Sequence, residues 1–416
     1  MRATQPTSFF ALAAFLPNTQ ACLSGSQHRV TARDIEAQAY IRPAPVVSTK
    51  TAIQNVRVFN GLGFSLPQSV VFENGQITAS PANVKTVVDG TGQFLIPGLI
   101  DAHVHVTDLT ALASITSYGV TTILNMACRD YAACAALKHN NQTNLASVLS
   151  SGVAAVGNGT NNGALQPPPD QLIYPNTNLP EVVSWAFGNG SDYYKIIAKP
   201  GSLTQAQQNT VVSTAHDVFH RQTMTHASDI ASYDQAITSG TDGIQHIPDD
   251  GLLSSSTLAS IKRSTQFFTP TMSVFKYGYS NPAVLAFLGR ANQTNATYAN
   301  VEENVRRLHK AGVTIIAGTD AVGPIAPGID LPFGRTLHQE LQLLNGVGLT
   351  PLEALRAGTV ESAARHQLFD RGQIIVGKRA DLVLLNSNPL VNISNTLDIA
   401  KVWVGGVEVQ DVTKLT

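Results

Sequence analysis

Residues 97–105 read PGLIDAHVH, and this stretch decides the fold. Apolar residues lead into His103 and His105, which are two positions apart. Residues two apart in a β-strand point to the same side, so the pattern predicts a buried strand that ends in two imidazoles facing the same way. Two such imidazoles supply half of a metal site. An isolated His-x-His motif is better interpreted as two core histidines with hydrogen-bond partners. Further candidate ligands elsewhere in the chain make a metal site the better interpretation here.

Short apolar segments and helical stretches alternate along the middle of the chain. This order predicts βα units around a parallel sheet. The candidate strands are 98–105, 119–126, 152–157, 193–198, 222–227, 243–247, 266–272 and 313–320. Eight βα units favour an α/β fold of the (β/α)8 TIM-barrel type, with a doubly wound open sheet as the alternative.

Both ends of the chain are rich in β-strand patterns. Residues 51–59 alternate at period two before a turn at Asn60-Gly61, and residues 381–385 and 402–409 have the same character. Lone hairpins are marginal in water, so we expect the two ends to form one small β-sandwich. The predicted division is a signal peptide over 1–24, an N-terminal arm and the first part of the sandwich over 25–97, the barrel over 98–372, and the second part of the sandwich over 373–416.

Composition limits the function classes. The 416 residues are 43% hydrophobic and 13% charged, with a formal net charge of −1. No nucleic-acid partner is expected, because such a partner requires a basic patch. Residues 9–16 (FFALAAFL) follow Arg2 and predict a secretory signal, a buried N-terminal helix being the alternative. No other run approaches the ~18 apolar residues of a membrane span, so no membrane partner is expected.

Two further features favour secretion. Asn-x-Ser/Thr sequons, the acceptors of N-glycosylation, occur at Asn141, Asn158, Asn189, Asn292, Asn295 and Asn392. Of three cysteines, Cys22 is expected to leave with the signal peptide. Cys128 and Cys134 remain as a pair able to form a disulfide in an oxidising compartment. Two free cysteines are the alternative, because the spacing fixes no geometry.

Three more candidate ligands each end a predicted strand, where barrel enzymes place their catalytic groups. They are His226, His246 and Asp320. Burying four imidazoles and a carboxylate without partners or a metal would cost several kcal/mol. The set therefore favours a metal centre at the C-terminal mouth of the barrel.

Lys195 stands in the otherwise apolar segment YYKIIA. A buried ammonium tends to lose its proton, and a neutral amine reacts with CO₂ to give a carbamate whose two oxygens can bridge two cations. The alternative is a lysine whose ammonium reaches solvent from the strand end. Lys199 shares the side parity of Lys195 and is the weaker candidate.

This ligand set resembles the amidohydrolase superfamily with a carboxylated lysine. Residues 95–103, 311–321, 349–355 and 377–383 also resemble its segments, and the similarity covers about residues 51–410. The chain is most similar to the imidazolonepropionase-related branch, which includes prolidase-like dipeptidases and ochratoxinase-type amidases. The resemblance implies one metal on His103, His105 and Asp320, a second on His226 and His246, and carboxylated Lys195 bridging them together with a hydroxide. It also implies that Asp320 acts as general base and then as general acid.

These expectations define a secreted, metal-dependent amidohydrolase of the carboxypeptidase, dipeptidase or amidase type. Its substrate would be a small peptide-like or N-acyl amino acid, and Zn²⁺ suits the mixed ligands best. The alternatives are a cyclic-amide or lactone hydrolase, a mononuclear deaminase, and a non-catalytic binding protein on the same fold. Lys195 argues against the deaminase, which needs no bridging lysine. A homo-oligomer of unspecified size is expected.

Residues outside the ligand set have less defined roles. Tyr193 and Tyr277 are candidates for substrate contact. The long segments 157–180 and 321–334 are expected to be loops that shape substrate choice. His338 is interpreted as structural. The remaining histidines outside the ligand set that lie on polar or helical stretches are expected to be solvated; they are His216, His220, His309 and His366.

Overall fold

A computed structural model describes residues 49–413 with the exception of residue 328. The predicted signal peptide over 1–24 and most of the arm that follows lie outside the described residues, as does Cys22. No helix within the described part of the chain is long and apolar enough to cross a membrane.

The strands occur at both ends of the described chain and, between helices, through its middle. They are β1 (Thr51–Val58), β2 (Gln68–Glu73), β3 (Gln76–Thr78), β4 (Thr86–Asp89), β5 (Phe94–Pro97), β6 (Leu99–Val104), β7 (Val120–Asn125), β8 (Ser147–Ser150), β9 (Tyr194–Ile197), β10 (Thr223–His226), β11 (Gly243–Gln245), β12 (Phe267–Thr269), β13 (Gly323–Ala326), β14 (Ile329–Leu331), β15 (Leu382–Leu385), β16 (Ile399–Val404) and β17 (Val407–Glu408).

Most of the helices lie between the middle strands. They are α1 (Leu109–Ser117), α2 (Tyr131–Lys138), α3 (Leu179–Gly188), α4 (Gln205–Asp217), α5 (Ile230–Ser239), α6 (Ser255–Arg263), α7 (Met272–Ser280), α8 (Pro282–Phe287), α9 (Tyr298–Lys310), α10 (Arg335–Gly346), α11 (Pro351–Ala357) and α12 (Val360–Arg365). Short 3₁₀ turns occur at Gly163–Leu165, Pro169–Gln171 and Ile393–Leu397.

Local sequence explains why several helices begin where they do. Asp108 and Asp229 precede α1 and α5, and each side chain accepts a hydrogen bond from a main-chain N–H of the first turn. Thr204 forms a capping box with Gln207 at the start of α4. These caps stabilise helices that immediately follow strands, and they hold the strand ends in place.

The middle strands form two parallel sheets, β6-β7-β8 and β9-β10-β11-β12. Main-chain contacts also join them. Ala155 bridges to Ile196 in parallel, and Phe268 bridges to Ile315. The main-chain N–H of Ala102 donates to Ala317. The predicted mixed α/β architecture with parallel strands is confirmed.

Two predicted strands differ from the structure. Only isolated bridges occur over 152–157, and the regular pairing with β7 lies earlier, at β8. The segment 313–320 also lacks regular strand geometry, although Ile315 forms a bridge. Close packing explains its irregular course, because a Cβ on Gly318 would lie 2.8 Å from the main-chain nitrogen of His103. The segment 321–334, predicted to be a loop, contains the antiparallel hairpin β13-β14.

Strands from both ends of the chain join in one eight-stranded sheet of order β17-β16-β15-β5-β1-β2-β3, with β4 also paired to β1. The register of β1 shifts where Asn55 has a φ of 56°. The ring of Phe72 on β2 contacts the ring of Trp403 on β16, and the two ring centroids are 5.8 Å apart. The ends therefore pack together as predicted, whereas a sandwich of two separate sheets stays a prediction.

Apolar side chains from both parallel sheets form one buried cluster. Ile100, Leu124, Met224 and Phe267 pack there with Ile316. The largest buried cluster of the described chain joins helix residues, among them Leu112, Val305 and Leu341, to strand residues such as Ile123 and Ile244. The middle strands are thus covered on both faces, as expected of parallel strands, and their carboxyl ends share one edge.

Candidate metal centre

His103, His105 and Asp320 meet at the carboxyl ends of β6 and of the segment 313–320. Nε2 of His103 lies 3.3 Å from Oδ1 of Asp320, and Nε2 of His105 lies 3.1 Å from the same oxygen. The main-chain N–H of Asp320 donates to the carbonyl of His103 at 2.8 Å. Neighbouring main chains therefore bring the predicted His-x-His pair and the predicted carboxylate together.

His226 and His246 complete the cluster from β10 and β11. The ring centroids of His226 and His246 are 4.3 Å apart, and those of His103 and His246 are 4.7 Å apart. One ligand atom each from His103, His246 and Asp320 lies within 4.8 Å of the others, a spacing that suits a shared metal ion. All five predicted His and Asp ligands thus lie in one cluster.

Lys195 lies on β9, beside this cluster, and is only 2% exposed. Burial, opposed by Asp320, lowers the pKa of its ammonium to about 7. Lys195 in turn lowers the pKa values of His103 and His246 through its charge. A neutral amine is accordingly accessible near neutral pH.

Burial also keeps the imidazoles neutral. It is the largest factor lowering the pKa of His103 to about 4, and it holds the pKa values of His226 and His246 well below the usual value. Burial alone would raise the pKa of Asp320, but the neighbouring His103, His105 and His246 outweigh it and hold this pKa well below its usual range. Neutral imidazoles and an ionised carboxylate are the forms that bind metal.

Several polar residues that support this cluster were not predicted from the sequence. Nδ1 of His103 lies 2.8 Å from Oε1 of Gln245, and Nδ1 of His246 lies 2.8 Å from the Thr271 hydroxyl. The hydroxyl of Thr319 donates to the buried carboxylate of Asp101 at 2.7 Å. Supporting residues of this kind orient metal ligands. Gln245 and Asp101 did carry one signal, since both are polar residues within apolar strands next to a predicted ligand.

The main chain around the cluster adopts an uncommon conformation. His246, Thr271 and Asp320 have φ angles of 73°, 50° and 56°. Side chains other than glycine rarely adopt this left-handed region, and each such residue costs on the order of 1 kcal/mol or more. Three of these residues at strand ends around one cluster are a mark of a functional site.

The cluster fits a divalent metal. Nε2 of His103 and Nδ1 of His105 are buried and have no hydrogen-bond partner among the described residues. Buried polar atoms are almost always satisfied, so these nitrogens need a further partner. Imidazole and carboxylate are suitable ligands for zinc and similar ions.

Comparison with known proteins identifies the family. The family model described as "Amidohydrolase family" matches residues 94–409, which is more than half of the chain. The chain belongs to the amidohydrolase family. This membership confirms the resemblance inferred from the ligand pattern, and it supports a hydrolase that acts on C–N bonds.

Individual proteins and solved structures that resemble this amidohydrolase are consistent with its family. An imidazolonepropionase of Deinococcus deserti is 37% identical over 107 residues, which cover 25% of this chain and 26% of that protein. The chain thus matches about a quarter of the length of this curated relative. A crystal structure of a Xaa-Pro dipeptidase with methionine bound in its active site matches with a TM-score of 0.74 and 19% identity, over 86% of this chain and 99% of that one. The A. niger ochratoxinase structure matches with a TM-score of 0.68 and 21% identity, over 87% and 96%.

The predicted substrate residues do not lie together. Tyr193 is buried in the apolar cluster that the two parallel sheets share, and its hydroxyl donates to the carbonyl of Asn125 at 2.9 Å. This placement gives no support to substrate contact. The hydroxyl of Tyr277 on α7 accepts a hydrogen bond from the main-chain N–H of Asp330, in the hairpin segment. Tyr277 therefore remains a candidate.

Among the remaining histidines, His338 and His366 have distinct environments. Nδ1 and Nε2 of His338 lie 2.9 Å from the Thr396 hydroxyl and the Tyr118 carbonyl, in agreement with a structural role. The prediction of a solvated His366 was wrong. Its side chain is only 5% exposed, because it directly follows α12 and its ring packs against that of Phe267.

The cysteine pair and the sequon asparagines are placed as a secreted protein requires. Cys128 and Cys134 form a disulfide in the structure. All six sequon asparagines are exposed, at Asn141, Asn158, Asn189, Asn292, Asn295 and Asn392. Exposure is a requirement for glycosylation, which itself stays a prediction.

Proposed function

We propose that this amidohydrolase is a secreted, metal-dependent enzyme that cleaves an amide C–N bond of a small peptide-like or N-acyl amino acid substrate. The site would lie at the mouth of a closed (β/α)8 barrel. One observation carries the proposal: five ligand side chains from four strand ends surround a position beside the buried amine of Lys195.

The ligands of this one cluster would be divided between two metal ions. His103, His105 and Asp320 would hold one metal ion, and His226 and His246 a second. Two divalent cations there, with Zn²⁺ the best match to the ligands, would polarise the scissile carbonyl and make water a better nucleophile.

Lys195 would join the two groups. Its neutral amine forms an N–C bond to CO₂ and gives up one proton, which leaves a carbamate with two oxygens. Burial supports this step, because it disfavours the charged ammonium that cannot react.

Asp320 would transfer the proton. Its side chain is 16% exposed, whereas that of His103 is fully buried, so water can reach the carboxylate. It would accept the proton that water loses on attacking the carbonyl and would donate it to the departing nitrogen. The same residue then serves as base and acid, and no net proton is consumed.

The decisive measurement is the metal content of protein purified without chelators, together with hydrolysis of a panel of N-acyl amino acids and dipeptides. Two equivalents of metal and amide hydrolysis support the proposal. Lys195→Ala should lose both bridged metal and activity, whereas Lys262→Ala on exposed α6 should lose neither. One equivalent with full activity in Lys195→Ala would favour a mononuclear deaminase. A metal-free, inert protein would indicate a binding protein.

Secretion and self-association complete the proposal. The exposed sequons and the Cys128–Cys134 disulfide support an oxidising compartment. Sedimentation analysis of the mature protein tests the expected homo-oligomer, and a single species of monomer mass would contradict it.

A further inference from the structure

A second lysine, Lys199, lies two residues beyond the end of β9. Lys195 and Lys199 are four residues apart, so an extended chain directs both side chains to the same side. The chain stays extended just beyond β9, because the main-chain N–H of Ala198 donates to the carbonyl of His226. Lys199 is half-buried, and no carboxylate of residues 49–413 lies within ion-pair distance of its ammonium.

The neighbouring cation Arg290 is, by contrast, already neutralised. Its Nη2 lies 3.2 Å from Oδ1 of Asp249, which is fully buried, and its Nη1 donates to Gln293 at 2.6 Å. Arg290 also donates to the carbonyl of Ser228, two residues beyond His226. Among the described residues, Arg290 therefore has a carboxylate partner, whereas Lys199 has none within ion-pair distance.

The charge of Asp320, one of the metal ligands, acts on Lys199. Burial, followed by Arg290, lowers its pKa, while Asp320 and Asp229 oppose this change. Lys199 therefore senses Asp320 without forming an ion pair with it. A lysine ammonium on its flexible four-carbon stem is a compact point charge, suited to an anion that sits between the metal ligands and the mouth.

The surroundings of Lys199 strengthen such a pairing. Ile197 lies between the two lysines on the same face of β9 and packs with Val156, Ala154 and Ala127. Leu165 and Leu172, from the long segment after the third predicted strand, cover this cluster. An apolar wall excludes water, and charges attract more strongly where water is excluded.

We propose that Lys199 determines specificity by binding the free carboxylate of the substrate, so that the enzyme prefers N-acyl or peptidyl amino acids with a free carboxyl group over neutral amides. This inference rests on the proposed function. In such a substrate the carboxylate is separated from the scissile nitrogen by a single carbon atom. It would therefore lie beside the reacting bond, between Asp320 and the mouth.

The test compares N-acetylated proline, methionine and phenylalanine with the same compounds as C-terminal carboxamides. Wild-type protein should hydrolyse an acid with a kcat/KM about 10- to 100-fold above that of its carboxamide, the range expected of one charge-assisted hydrogen bond. Lys199→Met should abolish this preference, mainly by raising KM for the acid until its kcat/KM matches that of the carboxamide. Lys199→Arg should restore part of the preference, and Lys262→Met should match wild type.

A binding measurement separates this inference from the proposed function. The free amino acids and their carboxamides are titrated into wild type and Lys199→Met, with thermal stability as the readout. Stabilisation of wild type by the acids alone, lost in Lys199→Met, supports the inference even if no amide is hydrolysed. Hydrolysis with equal rates for acids and carboxamides, unchanged in Lys199→Met, would overturn the inference and leave the proposed function standing. An equal loss on both substrate types would assign Lys199 to the metal ligands instead.

Discussion

Nδ1 of His103 lies 2.8 Å from Oε1 of Gln245, a residue 142 positions further along the chain. Because an amide oxygen only accepts hydrogen bonds, the proton of this imidazole is on Nδ1. The lone pair is then on Nε2, the atom that faces Asp320. Gln245 thus fixes both the orientation and the tautomer that metal binding requires.

Loss of this hydrogen bond should weaken metal binding. In Gln245→Leu, His103 can rotate and change tautomer, so we expect metal affinity to fall about 10- to 100-fold. Competition with a chelator of known affinity measures it. Gln266→Leu is a matched control, since Gln266 is also buried but donates to the carbonyl of Thr241. Equal metal affinity in Gln245→Leu and wild type would remove Gln245 from this role.

Removal of the proton acceptor should abolish hydrolysis without unfolding the protein. Asp320→Asn keeps the shape of the side chain but accepts no proton, and we expect kcat to fall about 10²- to 10⁴-fold. Asp170→Asn, at an exposed position, serves as the control. Retention of more than a tenth of the activity by a folded Asp320→Asn variant would argue that another group transfers the proton.

His366 should make stability depend on pH. Burial lowers its pKa from 6.5 to about 3, and both ring nitrogens lack hydrogen-bond partners among the described residues. The unfolded chain therefore binds a proton below pH 6.5, whereas the folded protein does so only below about pH 3. The contribution of His366 to stability is thus lost as pH falls through this window, by about 1.4 kcal/mol per pH unit.

Urea unfolding at several pH values between 7 and 4 measures this effect. A chelator is included so that metal release does not contribute. His366→Leu should reduce the slope by about one proton, and Gln266→Leu, at a buried residue without a titratable group, should leave it unchanged. The same slope in His366→Leu and wild type would show that His366 does not titrate as its burial implies.

The disulfide should stabilise the fold modestly. Cys128 and Cys134 close a loop of only six residues in sequence separation, and the loss of chain entropy on closing so short a loop corresponds to about 2 kcal/mol. Reducing agent should lower the free energy of unfolding by this amount. A Cys128→Ser/Cys134→Ser variant should be insensitive to the reductant, and a wild type that is equally insensitive would indicate free thiols.

Glycosylation should be visible when the chain passes through a eukaryotic secretory pathway. All six sequon asparagines are exposed, so removal of N-glycans should lower the mass of the secreted protein. Asn141→Gln should remove one glycan, whereas Asn140→Gln, outside any sequon, should remove none. Secreted protein of unmodified mass would contradict this expectation.

The sequence revealed the ligands but few of the residues that support them. His103, His246 and Asp320 could be found because each ends an apolar segment, and parallel strands bring their carboxyl ends to one edge. The contact between Asp101 and Thr319 could not be predicted, because these residues are 218 positions apart and meet only through the packing of the main chain.

Strand regularity was harder to predict than strand order. Residues 313–320 have an apolar strand pattern, yet the close approach of Gly318 to His103 allows only an irregular course. The pairing at Ser147–Ser150 was missed because this short segment mixes serines with apolar residues and its first two residues are only partly buried. Likewise, the burial of Tyr193 and His366 depends on contacts between distant segments, which no local pattern reports.

The left-handed main chain at His246, Thr271 and Asp320 makes the chemistry of this enzyme compete with its own durability. At such a position glycine relieves the main chain, so Asp320→Gly should unfold at a higher temperature than Asp320→Ala, by about 1 kcal/mol of stability. Directed evolution for thermal stability alone would therefore favour substitutions to glycine at these three positions. Only continued demand for catalysis would retain the present side chains.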